Sequence, residues 1–204
     1  MIEHIRELGR VKLVQVQPNG IIIETPSGDF YDASRRVEVE SLHISSRGIE
    51  AITPTGEHVI DIHHIDHPNK AYGNDDLVCI GFTPHYEAMR ARFGEHMVDG
   101  VAGENIIIEY EDVVWPEDLG QRIAIENTDT GRQALLDVVS FAPPCEEFSH
   151  FAANSQHKRL PAEKLKSILQ FLGNGRRGFL LVLSDNQESA TVQSGDRVFV
   201  VGVD

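Results

Sequence analysis

A chain of 204 residues has room for one domain with a substantial core and too little for two. Its 41% apolar and 25% charged residues are those of an ordinary soluble globular protein, and its longest purely apolar runs, such as residues 179–183, are far too short to cross a bilayer. Thirty-two acidic residues against 18 basic ones give a formal charge of −14, which argues against nucleic acid or an anionic membrane as the main partner, since both need a basic footprint.

Residues 1–7 are charged throughout and lack the apolar core of a secretory signal. The two cysteines, Cys79 and Cys145, have nothing in the sequence that pairs them, so reduced thiols and a cytoplasmic location are expected.

The first half reads as antiparallel β-structure. Residues 11–17 and 21–25 are strand-like runs joined by Pro18-Asn19-Gly20, a hairpin turn, and Pro26-Ser27-Gly28-Asp29 makes another turn before Phe30-Tyr31. Within residues 37–44 the apolar positions change phase, from Val37 and Val39 to Leu42 and Ile44, which predicts a bulge near Ser41. Residues 49–53 and 58–62 flank Pro54-Thr55-Gly56-Glu57, a further hairpin signal. Short strands at such close spacing favour a barrel or a sandwich.

Residues 58–67 hold His58, His63, His64 and His67 with Asp61 and Asp66. As a strand, this segment puts His58 on one face with Ile60, Ile62 and His64, and Asp61 and His63 on the other. No zinc spacing fits. Two readings stand: a divalent-metal site with His63, His64 and His67 as ligands, or a polar strand end beside the turn-rich loop at 68–76. Thr83-Pro84 then opens a helix, with Thr83 as N-cap, Tyr86, Met89 and Phe93 on one face and Gly94 at its end.

A glycine-punctuated loop, residues 99–105, runs into Ile106-Ile107-Ile108, a β-run. Gly100 and Gly103 mark a tight turn, and Glu104-Asn105 stand at the mouth of the strand as a ligand-facing pair. Residues 121–126 and 134–141 are strands about a turn at 127–131. Pro143-Pro144 stops the second of them, leaving Cys145 at a strand-to-helix elbow. A helix start favours a thiolate, while Glu146 and Glu147 oppose it. Cys145 is either a small buried apolar residue or a working thiol.

A second helix is expected over residues 161–172, with Leu165, Ile168, Leu169 and Leu172 on its buried face. Gly175-Arg176-Arg177-Gly178 is either an exposed basic turn or a cationic pocket for phosphate or another oxyanion. A strand at 179–183, a turn at 193–196 and a strand at 197–201 complete the chain. There is no repeat, low-complexity tract or linker, so residues 1–204 are expected to form one domain.

Taken in order, Gly100-Val101-Ala102-Gly103-Glu104-Asn105-Ile106, Pro144-Cys145, Gly175-Arg176-Arg177-Gly178-Phe179 and Gly195-Asp196-Arg197-Val198 resemble the MOSC family. That family is named for the C-terminal part of molybdenum cofactor sulfurase and includes small stand-alone bacterial proteins. The resemblance runs over about residues 49–203, with residues 1–48 as N-terminal hairpins of the same barrel. It implies a mainly β, α+β fold: a MOSC-like β-barrel with a few peripheral helices. It implies that Cys145 ligates the molybdenum of a bound molybdopterin cofactor or carries sulfur as a persulfide. Gly100, Gly103, Glu104 and Asn105 would line the cofactor site, with Arg176 and Arg177 at its phosphate or pterin.

The chemistry implied by the resemblance is two-electron reduction of an N-oxygenated or similar small substrate. The alternatives are a non-catalytic sulfur or cofactor carrier, with a cysteine desulfurase or redox protein as partner, and an inactive structural domain whose histidines bind metal adventitiously. The His-Gly-Gly-Pro-Asp-like loop of many relatives is represented here by His67-Pro68-Asn69-Lys70-Ala71, without the glycine pair. No pyridoxal-phosphate desulfurase domain accompanies these motifs, and pyridoxal phosphate is not expected.

Overall fold

The structure, a computed structural model, describes residues 4–26, 28–69, 77–156 and 158–202. Its first elements are strands β1 (His4–Val16), β2 (Ile22–Ile23), β3 (Phe30–Tyr31), β4 (Val37–Val39), β5 (Ser41–Ser45), β6 (Gly48–Ile52), β7 (His58–Ile60) and β8 (Val78–Phe82). Helix α1 (Thr83–Phe93), β9 (Ile106–Glu109), the short α2 (Pro116–Leu119), β10 (Arg122–Glu126) and β11 (Gln133–Phe141) follow. Helices α3 (Glu146–Ala152) and α4 (Ala162–Leu172) then precede β12 (Phe179–Leu183), β13 (Ser189–Gln193) and β14 (Arg197–Val201).

Among the described residues, seven strands close a ring in the order β14-β10-β11-β12-β8-β9-β1, with β1 returning to β14. The β8–β9 pair is parallel and the other pairs of the ring are antiparallel. Closure removes the unpaired edges that an open sheet would expose. Strand β4 hydrogen-bonds β1 beside the ring, and β13-β5-β6-β7 form a separate four-stranded sheet.

Two apolar cores result. Ile80, Phe82, Ile106, Ile108, Leu136, Leu181 and Val198 belong to the core of the barrel. Tyr31, Tyr86, Met89, Met97, Phe148, Ile168 and Leu172 pack a second core among the helices. Strand β9 divides its alternation between the two: Ile106 and Ile108 join the first, while Ile107 joins the second. Each such large apolar side chain contributes about 1.5–3 kcal/mol by leaving water. The hairpins at 53–57 and 127–131 form as expected, joining β6 to β7 and β10 to β11.

Three local expectations are corrected. Pro18-Asn19-Gly20 does not turn a hairpin, because β1 spends its 13 residues pairing with β14, β9 and β4, and β2 pairs with β3 instead. The phase change after Val39 is not a bulge: Glu40 separates β4, which pairs with β1, from β5, which pairs with β6 and β13. Thr83 does not cap α1 but is its first residue, and its hydroxyl donates to the Tyr110 carbonyl at 3.2 Å. Of the loop at 68–76, only Pro68 and Asn69 are described, and Ser27 of the turn at 26–29 also lies outside the described residues.

His85, on α1, was not singled out by periodicity. It is buried among the rings of Phe82, Trp115 and Phe179, and neither ring nitrogen makes a regular hydrogen bond. Burial, helped by the nearby Arg176 charge, lowers its pKa to about 4. The fold therefore holds a neutral imidazole that the unfolded chain protonates near pH 6.5. That stabilisation is complete above pH 6.5, is lost as pH falls toward 4, and changes no further below 4. Urea titrations of the wild type and His85→Phe should show it: between pH 7.5 and 4.5 the wild type should lose about 2 kcal/mol more than the variant. Parallel losses would contradict this account.

Candidate functional site

The working geometry centres on Arg177, in the turn before β12. Its Nη1 donates to the Pro143 carbonyl at 3.1 Å and lies 3.3 Å from the Cys145 sulfur, while Nη2 donates to the Ala102 carbonyl at 3.0 Å. The guanidinium also stacks on the Phe148 ring of α3, 4.7 Å from its centroid. One cation thus joins the strand-to-helix elbow, the glycine loop and its own turn. Burial alone would weaken its protonation, but Cys145, Tyr31, Glu104 and Cys79 around it raise its pKa. The elbow arises as the Pro-Pro pair suggests: β11 ends at Phe141, and half-buried Cys145 is the extended residue preceding α3.

Two glutamines on β1 and just beyond it clamp the loop. Gln15 Nε2 donates to the carbonyls of Gly100 and Glu104 at 2.8 and 2.6 Å, and Gln17 Nε2 donates to the Gly103 carbonyl at 2.6 Å. Gly103 adopts φ +99°, a conformation that strains residues with a Cβ, and a Cβ there would also press on the tip of the Ile21 side chain at 2.8 Å. Asn105 fastens the loop to β8: its Oδ1 accepts from the Cys79 N–H at 3.0 Å, and its Nδ2 donates to Asp61 Oδ2 at 3.1 Å.

Glu104 is fully buried. Tyr86 donates to its Oε2 at 2.5 Å, whereas Oε1 has no hydrogen-bond partner. Burial raises its pKa to about 7, with the Tyr86 bond and the Arg177 charge opposing the shift. Opposite stands Cys79, whose pKa burial raises strongly. A Cβ on Gly178 (φ +102°) would lie within 3.0 Å of the Ile80 carbonyl, Glu104 Cγ and Cys79 Sγ, so that glycine lets β12 close over both side chains.

Beside these groups opens a cavity of about 530 Å³. Apolar Ile21, Ile22, Leu77 and Leu180 line it together with His63, Cys79, Gly103, Asn105, Glu147 and Arg177. Glu24 and Asp29 also reach its wall. Of the residues expected at a cofactor site, Gly103, Asn105 and Arg177 are on the wall. Cys145 is not on the wall itself, but its sulfur lies 3.3 Å from Nη1 of Arg177, Gly100 is held by Gln15, and Glu104 is buried between Tyr86 and β12.

Arg176 goes elsewhere. It stacks on Phe171 and Trp115 and bonds the Phe171 carbonyl, which places it on the helical side of the turn, away from the cavity. The expected metal ligands also separate. His63 Nδ1 bonds Asp61 at 2.9 Å, and His64 Nε2 lies 3.3 Å from Glu50 Oε1. His67 donates from Nε2 to the Pro18 carbonyl at 3.0 Å and accepts the Asn69 N–H at Nδ1. Each ring closes its own turn. Among the described residues no group of three or more His, Cys, Asp and Glu side chains is placed to hold a metal ion, so His63, His64 and His67 do not form the metal site expected as one reading.

Residues that sequence reasoning missed carry much of the site. Gln15 and Gln17 are buried polar groups, yet on a strand or strand end they read as an outward polar face, and Asp61, counted with the histidine cluster, is a buried hydrogen-bond acceptor instead. The partition of the two arginines gives a direct test. Arg177→Met should cost about 2–3 kcal/mol in urea unfolding, since the carbonyls of buried Ala102 and of Pro143 lose a charged donor. Arg176→Met should cost about 1 kcal/mol, the scale of an exposed cation–π contact. Equal losses would remove the distinction.

A family model described as "MOSC domain" matches residues 67–199. No curated protein matches the chain. Among solved structures, the YuaD protein of Bacillus subtilis is similar at TM-score 0.58 and 10% identity, with both chains fully covered. YiiM from Geobacillus stearothermophilus is similar at TM-score 0.52 and 15% identity, over 95% of this chain and 75% of that one. A structure titled only as a hypothetical protein matches at TM-score 0.55 and 14% identity, over 98% and 68%. At such identities these neighbours speak for the fold alone, and the fold is the seven-strand closed barrel with peripheral helices described above. With the family model spanning most of its length, the chain belongs to the MOSC domain family.

Proposed function

We propose that this chain binds a molybdenum–pterin cofactor in the cavity beside Arg177, with Cys145 as the protein sulfur at the metal. The observation that carries the reading is the convergence of Cys145, the 100–105 loop and Arg177 at one place in a MOSC chain. The residues fit such a group in three respects. A soft sulfur donor sits beside a guanidinium, the cavity of about 530 Å³ has both apolar and polar walls, and Nε of Arg177, a wall residue, is buried without a hydrogen-bond partner.

Bound there, the group would supply a metal that exchanges electrons in pairs. The chain's own residues do the rest. Cys145 offers its sulfur, and Arg177 fixes the elbow and presents positive charge to an anionic ligand. Gly103 lets the backbone come close, and Ile21, Ile22 and Leu180 exclude water from one side. The reaction class we assign is two-electron reduction of a small N-oxygenated substrate, with a separate redox protein delivering the electrons.

A second reading, carriage of sulfane sulfur as a Cys145 persulfide, is favoured by the partial exposure of Cys145. Expression in a molybdopterin-proficient host followed by metal and pterin analysis separates the two. The cofactor reading expects both in near-stoichiometric amounts in the wild type and a loss of about tenfold or more in Cys145→Ala, the scale of about 1.4 kcal/mol or more of lost ligation. Equal content in both proteins would remove Cys145 as the ligand. Absence from both, with one added sulfur at Cys145 after incubation with a desulfurase, would support the carrier.

A further inference from the structure

The cofactor reading leaves Asp61 and His63 unused, and both lie before residue 67, where the family match begins. Their arrangement is more specific than a turn requires. Asp61 is 0% exposed, and both of its oxygens are engaged. Oδ2 accepts from the Gln17 N–H at 2.8 Å and from Asn105 Nδ2 at 3.1 Å. Oδ1 accepts from the His63 N–H at 3.1 Å and lies 2.9 Å from His63 Nδ1. An oxygen already accepting from the backbone of residue 63 is placed to accept from its ring as well, so Nδ1 carries the proton. The neutral imidazole then has its lone pair at Nε2.

That second nitrogen has no hydrogen-bond partner among the described residues, and the ring lines the cavity that Arg177, Cys79, Gly103 and Asn105 also line. The Asn105 side chain that orients Asp61 is the one that binds the Cys79 backbone, so the pair and the glycine loop form one network. A carboxylate fixing one imidazole nitrogen so that the other faces a reacting molecule is a known arrangement for proton transfer. We propose that His63 is a proton-exchanging residue of this cavity, working through Nε2 and held in orientation by Asp61.

The step moves a proton and no electrons. The Nε2–H bond of the imidazolium breaks, an O–H or N–H bond on the cavity's occupant forms, and the ring returns to its neutral Nδ1–H form; the base direction is the reverse. Burial would lower the pKa of His63, but the hydrogen bond and charge of Asp61 outweigh it and raise the value, which enlarges the donor fraction near neutrality. The other ionisable groups on the cavity wall are Glu24, Asp29, Glu147, Cys79 and Arg177. Where the occupant is the substrate of the molybdenum site, the proposal rests on that reading; the orientation of the ring does not.

The test therefore begins on the full chain without cofactor. Imidazole ¹⁵N NMR, with the His63 signals assigned by their loss in His63→Gln, should show a protonated Nδ1 and an unprotonated Nε2 in the neutral form. Diethyl pyrocarbonate should modify that ring at Nε2. In Asp61→Asn the tautomer preference should vanish and the ring should titrate at lower pH. An Nε2–H tautomer, or a ring inert to the reagent, overturns the proposal in the wild type alone, even if Asp61→Asn fails to fold. On cofactor-loaded protein, His63→Gln should lower turnover of an N-hydroxylated amidine about 100-fold at unchanged molybdenum and pterin content. Unchanged turnover overturns the catalytic role. A wild type with the expected tautomer and reactivity but no molybdenum or pterin supports the oriented proton donor and sinks the cofactor reading instead.

Discussion

A guanidinium packed against an aromatic ring needs partners for the donors it withdraws from water, and Arg177 places both terminal nitrogens on groups from two other segments of the chain. Pro143 and Cys145 come from the elbow after β11, Ala102 comes from the loop before β9, and Phe148 supplies the ring beneath. None of these groups is near Arg177 in sequence, so these contacts form only when the barrel has closed and α3 has docked on it. The constraint also works in reverse. Two peptide carbonyls and a thiol at the elbow and loop are oriented by one planar fork, a task that a lysine's single ammonium would not reproduce.

Around that fork the site is built in layers from the barrel wall. The parallel pair β8–β9 puts Cys79 and the 100–105 loop side by side, and Asn105 bonds both to the backbone of Cys79 and to Asp61. Gln15 and Gln17 bring the end of β1 to the same loop. Glu104 then sits in an interior so short of partners that one oxygen has none and its pKa is pushed up to about 7. Groups held this far from their solution behaviour cost stability, and they are characteristic of places where chemistry is done. The adjoining second core gives these polar groups a rigid backing, with Tyr31 against Phe148 at 5.1 Å and Tyr86 buried beneath the loop.

The parts of this design that depend on local backbone chemistry were readable from the residues. Pro143-Pro144 forces a break after β11, and Gly100 and Gly103 force a tight loop, so the elbow at Cys145 and the turn before β9 could be placed. What depends on direction could not. Arg176 and Arg177 are neighbours in one turn, and nothing local says that one enters the helical aromatic stack while the other reaches the elbow. The histidines of residues 58–67 suggested a ligand set by their density alone; β7 ends at Ile60, and the turns beyond send the rings to Asp61, Glu50 and Pro18. The misplaced hairpin at residues 18–20 has the same origin. A turn signal is local, whereas the choice of partner for β1 is made by the closing of the barrel.

The central claim is that the sulfur Arg177 holds at the elbow is the protein's bond to molybdenum. X-ray absorption at the molybdenum edge, on loaded wild type and Cys145→Ser compared at equal metal occupancy, addresses that bond directly. The account predicts one sulfur scatterer in the wild type beyond those the pterin provides, absent from the variant and replaced by a lighter neighbour. The same sulfur count in both proteins would contradict it.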